Sequence, residues 1–352
     1  MRQPRMNYIL VAMIVWIFYY FIYRILKIFN LHLSRPVILL ISIVLSLIIL
    51  FTITYHWNSK IIDIVWTFSS RIFVLCFFVA LVLVCEQIIW LRYKINPRII
   101  IWFIAIVLWI WVYFSLKTKV VNYEINTDKI EKDMKILLVS DIHVDHIYKN
   151  FHIKKIKKII EKENPDFVLI AGDMMNKANE DYPKYFNIIQ ERESPIFAVM
   201  WNHDVMWDKE TVNKIPENSS ITLLKNESTE INWIQIIWLT DKSIRWETRL
   251  DENLEKCNTK TNNNFSILIT HQPISLEKLK NYPIDLEVAG HTHHGQIFWM
   301  RKLTEIVNDY WYWKYEENWK TAIVTQWIWT RWLPFRLGTQ SEMVIIKLKK
   351  KN

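Results

Sequence analysis

Five short segments of this 352-residue chain carry side chains of the kind that hold metal ions. They are Asp141-Ile142-His143, Gly172-Asp173, Trp201-Asn202-His203-Asp204, His271, and Gly290-His291-Thr292-His293. The ligand candidates are Asp141, His143, Asp173, Asn202, His271, His291 and His293, a mixture of imidazole and oxygen donors. That mixture suits Mn, Fe or Zn better than Mg or Ca, which prefer shells of oxygen. With a carboxylate available to bridge, such a set can hold two ions about 3.5 to 4 Å apart. Hydrolysis of a phosphate ester needs a nucleophile near neutral pH and positive charge facing the phosphorus, and an ion pair of this kind supplies both. Two divalent or trivalent ions are therefore the expected cofactors.

Each segment follows an apolar run. Lys135–Ser140 leads into Asp141, Phe167–Ala171 into Gly172, Ile196–Met200 into Trp201, Ile267–Thr270 into His271, and Leu286–Ala289 into Gly290. The chain from Met134 thus reads as strand, loop and helix in alternation, with ligands at the carboxyl ends of strands, where an α/β sheet builds its sites. Residues two apart on an extended segment point the same way, so Asp141 and His143, and likewise His291 and His293, can face one cavity. His146, His152 and His294 fall outside the pattern and read as packing or surface residues.

These blocks resemble those of the calcineurin-like metallophosphoesterases, whose pattern is DxH, GD, GNH followed by D or E, a lone H, and GHxH. The resemblance runs from Met134 to the C-terminus. Gly290–Gln296 is similar to the GHTHxGQ motif of a bacterial membrane-associated branch, and Thr325–Glu342 resembles that branch's tail if Trp327, Trp329 and Trp332 stand for glycine. The resemblance implies two mixed β-sheets flanked by helices. It also implies that Asp141, His143, Asp173 and His293 hold one metal and Asp173, Asn202, His271 and His291 the other, with Asp173 and a hydroxide bridging. His203 would stabilise the transition state or protonate the leaving oxygen, with Asp204 orienting its ring. Arg336 and Glu342 read as structural.

The first 116 residues differ in kind: Ile, Leu, Val, Phe and Trp dominate and carboxylates are few. Four apolar stretches, Tyr8–Tyr23, Val37–Tyr55, Ile72–Trp90 and Ile99–Leu116, approach the roughly 20 helical residues that a bilayer core requires. The expected organisation is a four-helix transmembrane region over 1–118, a linker over 119–133 and a catalytic domain over 134–352. The first span follows Arg2 and Arg5 but lacks a small-residue cleavage site before Arg24, so its retention is expected. Four spans return the chain to the side on which it began. Arg24, Lys27, Arg35, Arg92, Lys94 and Arg98 flank one side and Arg2, Arg5, Lys60, Arg71, Lys117 and Lys119 the other, so the charges balance. Similarity to the exported branch favours a multi-pass cell-membrane protein with an extracytoplasmic catalytic domain. Cys76 and Cys85 fall in an apolar stretch, which leaves Cys257 alone in the soluble part and excludes a disulfide framework there.

The net charge of +9 comes largely from residues flanking the spans and from a helical surface run including Lys154, Lys155, Lys157 and Lys158. A nucleic-acid partner is therefore not expected. Nineteen Trp stand against 4 Gly, where glycine ordinarily makes up about 7% of residues. Asn232-Trp233 and Asn318-Trp319 sit between strand-like runs, where Asn-Gly is the usual hairpin pair. Many of these tryptophans, Trp201 included, are expected to be glycine in the native protein, as translation of UGA codons read as glycine by the source would produce. Two other functions compete with hydrolysis of a phosphomonoester, diester or pyrophosphate on lipid-linked or envelope substrates. A membrane scaffold or sensor with an inactive metal site would show lost ligands, and none is lost. A transporter would need polar residues in its spans, which are nearly absent.

Overall fold

A computed structural model describes residues 8–54, 76, 79–80, 83–85, 87–88, 96–144, 150–175, 183–189, 194–199, 214–224, 227–239, 247–257, 264–292, 298–326, 328 and 339–351. The chain divides into two compact units, residues 1–113 with 331–334 and residues 114–330 with 335–352.

The first unit contains helices α1 (Tyr8–Ile28) and α2 (Arg35–Thr54) and most of α3 (Pro97–Leu116). Among the described residues one helix, Val11–Ile28, is long and apolar enough to cross a membrane, with a mean hydropathy of 1.7. The corresponding apolar stretches of α2 and α3 are shorter, Arg35–Ile48 and Ile101–Phe114. Three of the four expected spans therefore fall on helices, and Ile72–Trp90 lies largely outside the described residues. In α2 the buried hydroxyls of Ser42 and Ser46 donate to the carbonyls of Ile38 and Ser42, at 2.7 Å each. Both are thereby satisfied within the helix.

The second unit is a two-sheet sandwich. One sheet has the order β1-β12-β2-β3-β4-β5 and the other β10-β11-β9-β8-β7-β6. The first comprises β1 (Thr118–Thr127), β12 (Ser341–Lys350), β2 (Met134–Val139), β3 (Phe167–Ile170), β4 (Ile196–Val199) and β5 (Ile221–Leu224). The second comprises β10 (Trp313–Glu317), β11 (Lys320–Val324), β9 (Leu286–Ala289), β8 (Phe265–Ile269), β7 (Ile234–Trp238) and β6 (Glu227–Ile231). Both are mixed: β2 to β5 run parallel, as do β7, β8, β9 and β11, while β12 against β2, β10 against β11 and β6 against β7 are antiparallel.

Near-continuous apolar runs mark strands buried on both faces. Ile136, Leu138, Phe167 and Leu169 meet Ile236, Ile267, Val288 and Ile323 between the sheets. The alternate residues Leu137, Val139, Val168 and Ile170 pack outward against Ile153, Ile156 and Ile160 of α4 (Phe151–Glu163). On the far side, Ile237 and Leu268 pack against Leu250 and Leu254 of α5 (Glu247–Lys256). Each wholly buried Leu or Ile contributes roughly 1.5–3 kcal/mol of transfer free energy.

The stretch expected as a linker, 119–133, contains most of β1, which pairs in parallel with β12 along ten residues from Thr118↔Ser341 to Thr127↔Lys350. Its polar, half-exposed alternation is that of an edge strand, and an edge strand is hard to tell from a tether until its partner, more than two hundred residues away, is known.

The β6–β7 hairpin turns on Asn232 and Trp233, with φ of 48° and 65°. Both central residues are thus left-handed, as a type I′ turn requires. At the β10–β11 turn Asn318 is left-handed (φ 55°), and Trp313, at the start of β10, has φ 93°. A β-carbon in this region costs on the order of 1–2 kcal/mol. Trp233 is 59% exposed and has little packing to lose. Trp233→Gly is expected to raise the stability of the domain by about 1 kcal/mol, read as an upward shift of the thermal unfolding midpoint. A lower midpoint would reject the glycine reading at this turn.

Candidate metal centre

β2 and β3 lie side by side, and the chain continues their pairing past the strand ends. The Asp141 N–H donates to the Gly172 carbonyl (3.0 Å), that of His143 to Asp173 (3.0 Å), and that of Val144 to Met174 (2.9 Å). Within this ladder Asp141, His143 and Asp173 take φ of 56°, 45° and 52°, and His291 takes 67°. Left-handed non-glycine residues cost on the order of 1–3 kcal/mol each and persist only where the surroundings hold them. Here the ladder and the buried side chains hold them.

Four ligand atoms close a ring. The Nε2 of His143 is 3.6 Å from Asp141 Oδ1 and 3.4 Å from Asp173 Oδ2. The Nε2 of His271 is 3.6 Å from the same Asp141 oxygen and 3.5 Å from the same Asp173 oxygen. Asp141, His143 and His271 are wholly buried, and Asp173 is nearly so. Asp141, His143 and Asp173 each offer an atom within 4.8 Å of the other two, close enough to share one ion, and His271 meets the same two carboxylate oxygens.

The tautomer of His271 follows from its neighbour. Its Nδ1 lies 2.7 Å from the Ala171 carbonyl, which can only accept, so Nδ1 carries the proton. In the neutral ring Nε2 then presents a lone pair to two carboxylate oxygens. A cation bound beside Nε2 turns that repulsion into coordination, and a backbone carbonyl on the other nitrogen is the usual support of a ligating histidine. The donors thus fit a metal ion.

Asp141 is held through its other oxygen. The Ser140 hydroxyl, which also lies 2.9 Å from the Ala171 carbonyl, donates to Oδ2, and the His291 N–H reaches Oδ2 at 3.3 Å. His291 stands at the edge of the ring, its imidazole 5.1 Å from that of His271, with the Gln272 amide 3.2 Å from its Nε2. Asp141, His143, Asp173, His271 and His291 are therefore brought to one strand-end rim. Asn202, His203, Asp204 and His293 lie outside the described residues, as do Trp201, His146, His294 and Arg336. His152 is buried and packs edge-on against Phe151.

Ser140 and Gln272 escape a reading by residue type, since neither is a usual ligand. Their one sequence signal is adjacency to Asp141 and His271. Glu287 escapes it too. Wholly buried on β9, it accepts from the Ile274 N–H (2.6 Å) and the Thr270 hydroxyl (3.1 Å), which brace the loop on either side of His271. Burial pushes its carboxyl up to about 8, so it is mostly protonated at neutral pH.

A family model described as calcineurin-like phosphoesterase matches residues 134–295. A metallophosphoesterase of Helicobacter pylori is 27% identical over 241 residues, covering 67% of this chain and 65% of its own length. One from Aquifex aeolicus is 29% identical over 268 residues, covering 71% of this chain and 99% of the relative. UDP-2,3-diacylglucosamine pyrophosphatase LpxG of Chlamydia muridarum is 24% identical over 212 residues, covering 47% of this chain and 64% of the relative.

Proposed function

We propose that the chain, which matches the calcineurin-like phosphoesterase family model through residues 134–295, is a membrane-anchored hydrolase of phosphate esters or pyrophosphates with a binuclear metal centre. The observation that carries this reading is the buried ring of Asp141, Asp173, His143 and His271 donors with edges of 3.4 to 3.6 Å. Asp141, His143, Asp173 and His293 would hold one ion, and Asp173, Asn202, His271 and His291 the other, with Mn, Fe or Zn fitting the donors. Such ions, when bound, lower the pKa of water and neutralise charge on the phosphoryl oxygens.

The protein's own groups do the rest. Asp173 would be the carboxylate shared by both ions, and the Ala171 carbonyl fixes the nitrogen that His271 presents. Ser140 and the His291 N–H hold Asp141 Oδ2 and so turn Oδ1 toward the centre. His203 donates a proton to the leaving oxygen, and Asp204 keeps its ring aligned.

Similarity to a pyrophosphatase that acts on a diacylated sugar nucleotide supports a lipid-linked substrate. Anchoring rests on four apolar stretches, Tyr8–Tyr23, Val37–Tyr55, Ile72–Trp90 and Ile99–Leu116, with outward residues such as Leu40 and Trp102, 61% and 71% exposed, suited to lipid. Four crossings place the N-terminus and the catalytic domain on one side, the extracytoplasmic face. The purified chain with Mn2+ is expected to hydrolyse an aryl phosphate diester, to lose the activity on chelation and to regain it when Mn2+ returns. Hydrolysis indifferent to chelation would reject the reading.

A further inference from the structure

The strand register fixes where the last apolar helix enters the catalytic domain. α3 ends at Leu116 and β1 begins at Thr118, so Lys117 alone separates them. Thr118 pairs with Ser341 at the start of β12, and β12 runs antiparallel to β2, with Val344 opposite Leu138. The start of β1 is therefore at the end of β2 that delivers Ser140 and Asp141. Lys155, near the start of α4, fastens the junction there. Its ammonium donates to the Leu116 carbonyl and, at 3.1 Å, to the Thr118 hydroxyl.

A second element rises from the same rim. Helix α6 (Phe298–Val307) follows the His291 segment, and the chain returns to the rim at Trp313, which pairs with Val324 at the end of β11. The Thr292 hydroxyl donates to the Trp311 carbonyl, and the Arg301 guanidinium lies 5.6 Å from the centre of the Trp311 ring. The excursion is tied to the α3 junction by a buried polar cluster. Glu342 accepts from Tyr312 (3.2 Å), Gln326 (2.8 Å) and Lys119 (3.1 Å), and Lys119 also reaches the Tyr312 hydroxyl at 3.1 Å. Ile306 and Val307, at the end of α6, are 80% and 72% exposed, the most exposed large aliphatic side chains described.

We propose that the ligand-bearing rim is the membrane-facing surface of the catalytic domain, with the Ile306–Val307 end of α6 entering an anionic bilayer, so that the centre opens onto phosphate esters held in the lipid surface. This rests on the membrane-anchored reading above. Two observations select a bilayer as the occupant. The junction with the apolar segment stands on the same rim, and exposed Lys117 and Lys154 beside it complement anionic headgroups. A lone bilayer-inserted tip next to a short tether also keeps the centre within reach of headgroups.

The test uses the full chain in phosphatidylcholine–phosphatidylglycerol nanodiscs, with a fluorophore on Val307→Cys or on Asn232→Cys, at the opposite strand ends, after replacement of Cys76, Cys85 and Cys257. Brominated lipid should quench the Val307 label at least twofold more than the Asn232 label. Equal quenching overturns the proposal, as does a Val307 label shielded from aqueous iodide yet unquenched by lipid, which marks a protein partner. A second measurement keeps the native cysteines. The double variant Ile306→Asp with Val307→Asp should lose at least tenfold in hydrolysis of a diacylglycerol-anchored aryl phosphodiester in vesicles, with hydrolysis of the soluble diester unchanged. An unchanged ratio of the two rates overturns the proposal. Absence of soluble hydrolysis in the parent chain instead removes the enzymatic reading and leaves the quenching to decide the surface.

Discussion

Asp173→Asn is expected to lower kcat for a soluble aryl phosphate diester by about a thousandfold or more, equivalent to about 4 kcal/mol of transition-state free energy. The side chain keeps its size but loses its charge. Its amide, in either orientation, faces the Nε2 atoms of His143 and His271, 3.4 and 3.5 Å from the present Oδ2. In the proposed centre one nearly buried carboxylate would serve both halves of the ligand set, so its loss would weaken both ions rather than one. The fold should survive, because the backbone of Asp173 is held through its carbonyl by the His143 N–H. The check is paired: turnover collapses while the unfolding midpoint in chelator stays near that of the parent. Retained turnover would remove Asp173 from the centre.

Gly290→Ala is expected to damage the same centre by a different route. A β-carbon at position 290 would lie 1.9 Å from Ser140 Oγ, 2.7 Å from Ser140 Cβ and 2.6 Å from Asp141 Oδ2. No rotamer relieves a contact with Cβ, so strand ends must separate. Ser140 and Asp141 shift together, and the oxygen that Asp141 presents to the ring moves with them. Overpacking of this kind costs about 1–3 kcal/mol of stability, and activity should fall about a hundredfold, since small displacements of positioning groups carry losses of that order. Ser140→Gly in the Gly290→Ala background removes two of the three close contacts and should recover part of the stability. Measured unfolding free energies for the two single variants and the double variant give the coupling directly. An additive pair would show that the contact between these two strand ends does not carry the effect.

The parts of this molecule that were legible in the sequence are those encoded locally. An apolar run followed by Asp or His states both the strand and its ligand, and all five such runs are strands, at Met134–Val139, Phe167–Ile170, Ile196–Val199, Phe265–Ile269 and Leu286–Ala289. The spacing of Asp141 and His143 was informative for a reason only partly anticipated. The two side chains do reach one centre, but through left-handed backbone at both residues rather than a plain extended segment.

What escaped was long-range. β1 was hidden because its partner β12 is remote in sequence, and the insertion of β12 between β1 and β2 leaves no local mark. The cluster about Glu342 joins Lys119, Tyr312 and Gln326 from three distant segments, and only the closed sandwich brings them together. The tryptophan excess was legible from composition, and its sharpest structural counterpart is Trp233, left-handed at φ 65° where a hairpin favours glycine. Trp319, in the other turn singled out, is not left-handed, and the positive φ there falls on Asn318 alone.

The most direct test of the central claim is a metal titration of the stripped, full-length chain, with bound Mn2+ and hydrolysis of the aryl phosphate diester measured on the same samples. The shared donors of Asp173, and the seven ligand candidates as a set, predict that activity rises with metal content and saturates at two ions per chain, with Asp173→Asn binding less and remaining inactive. Full activity at one ion per chain, or activity independent of bound metal, would contradict it.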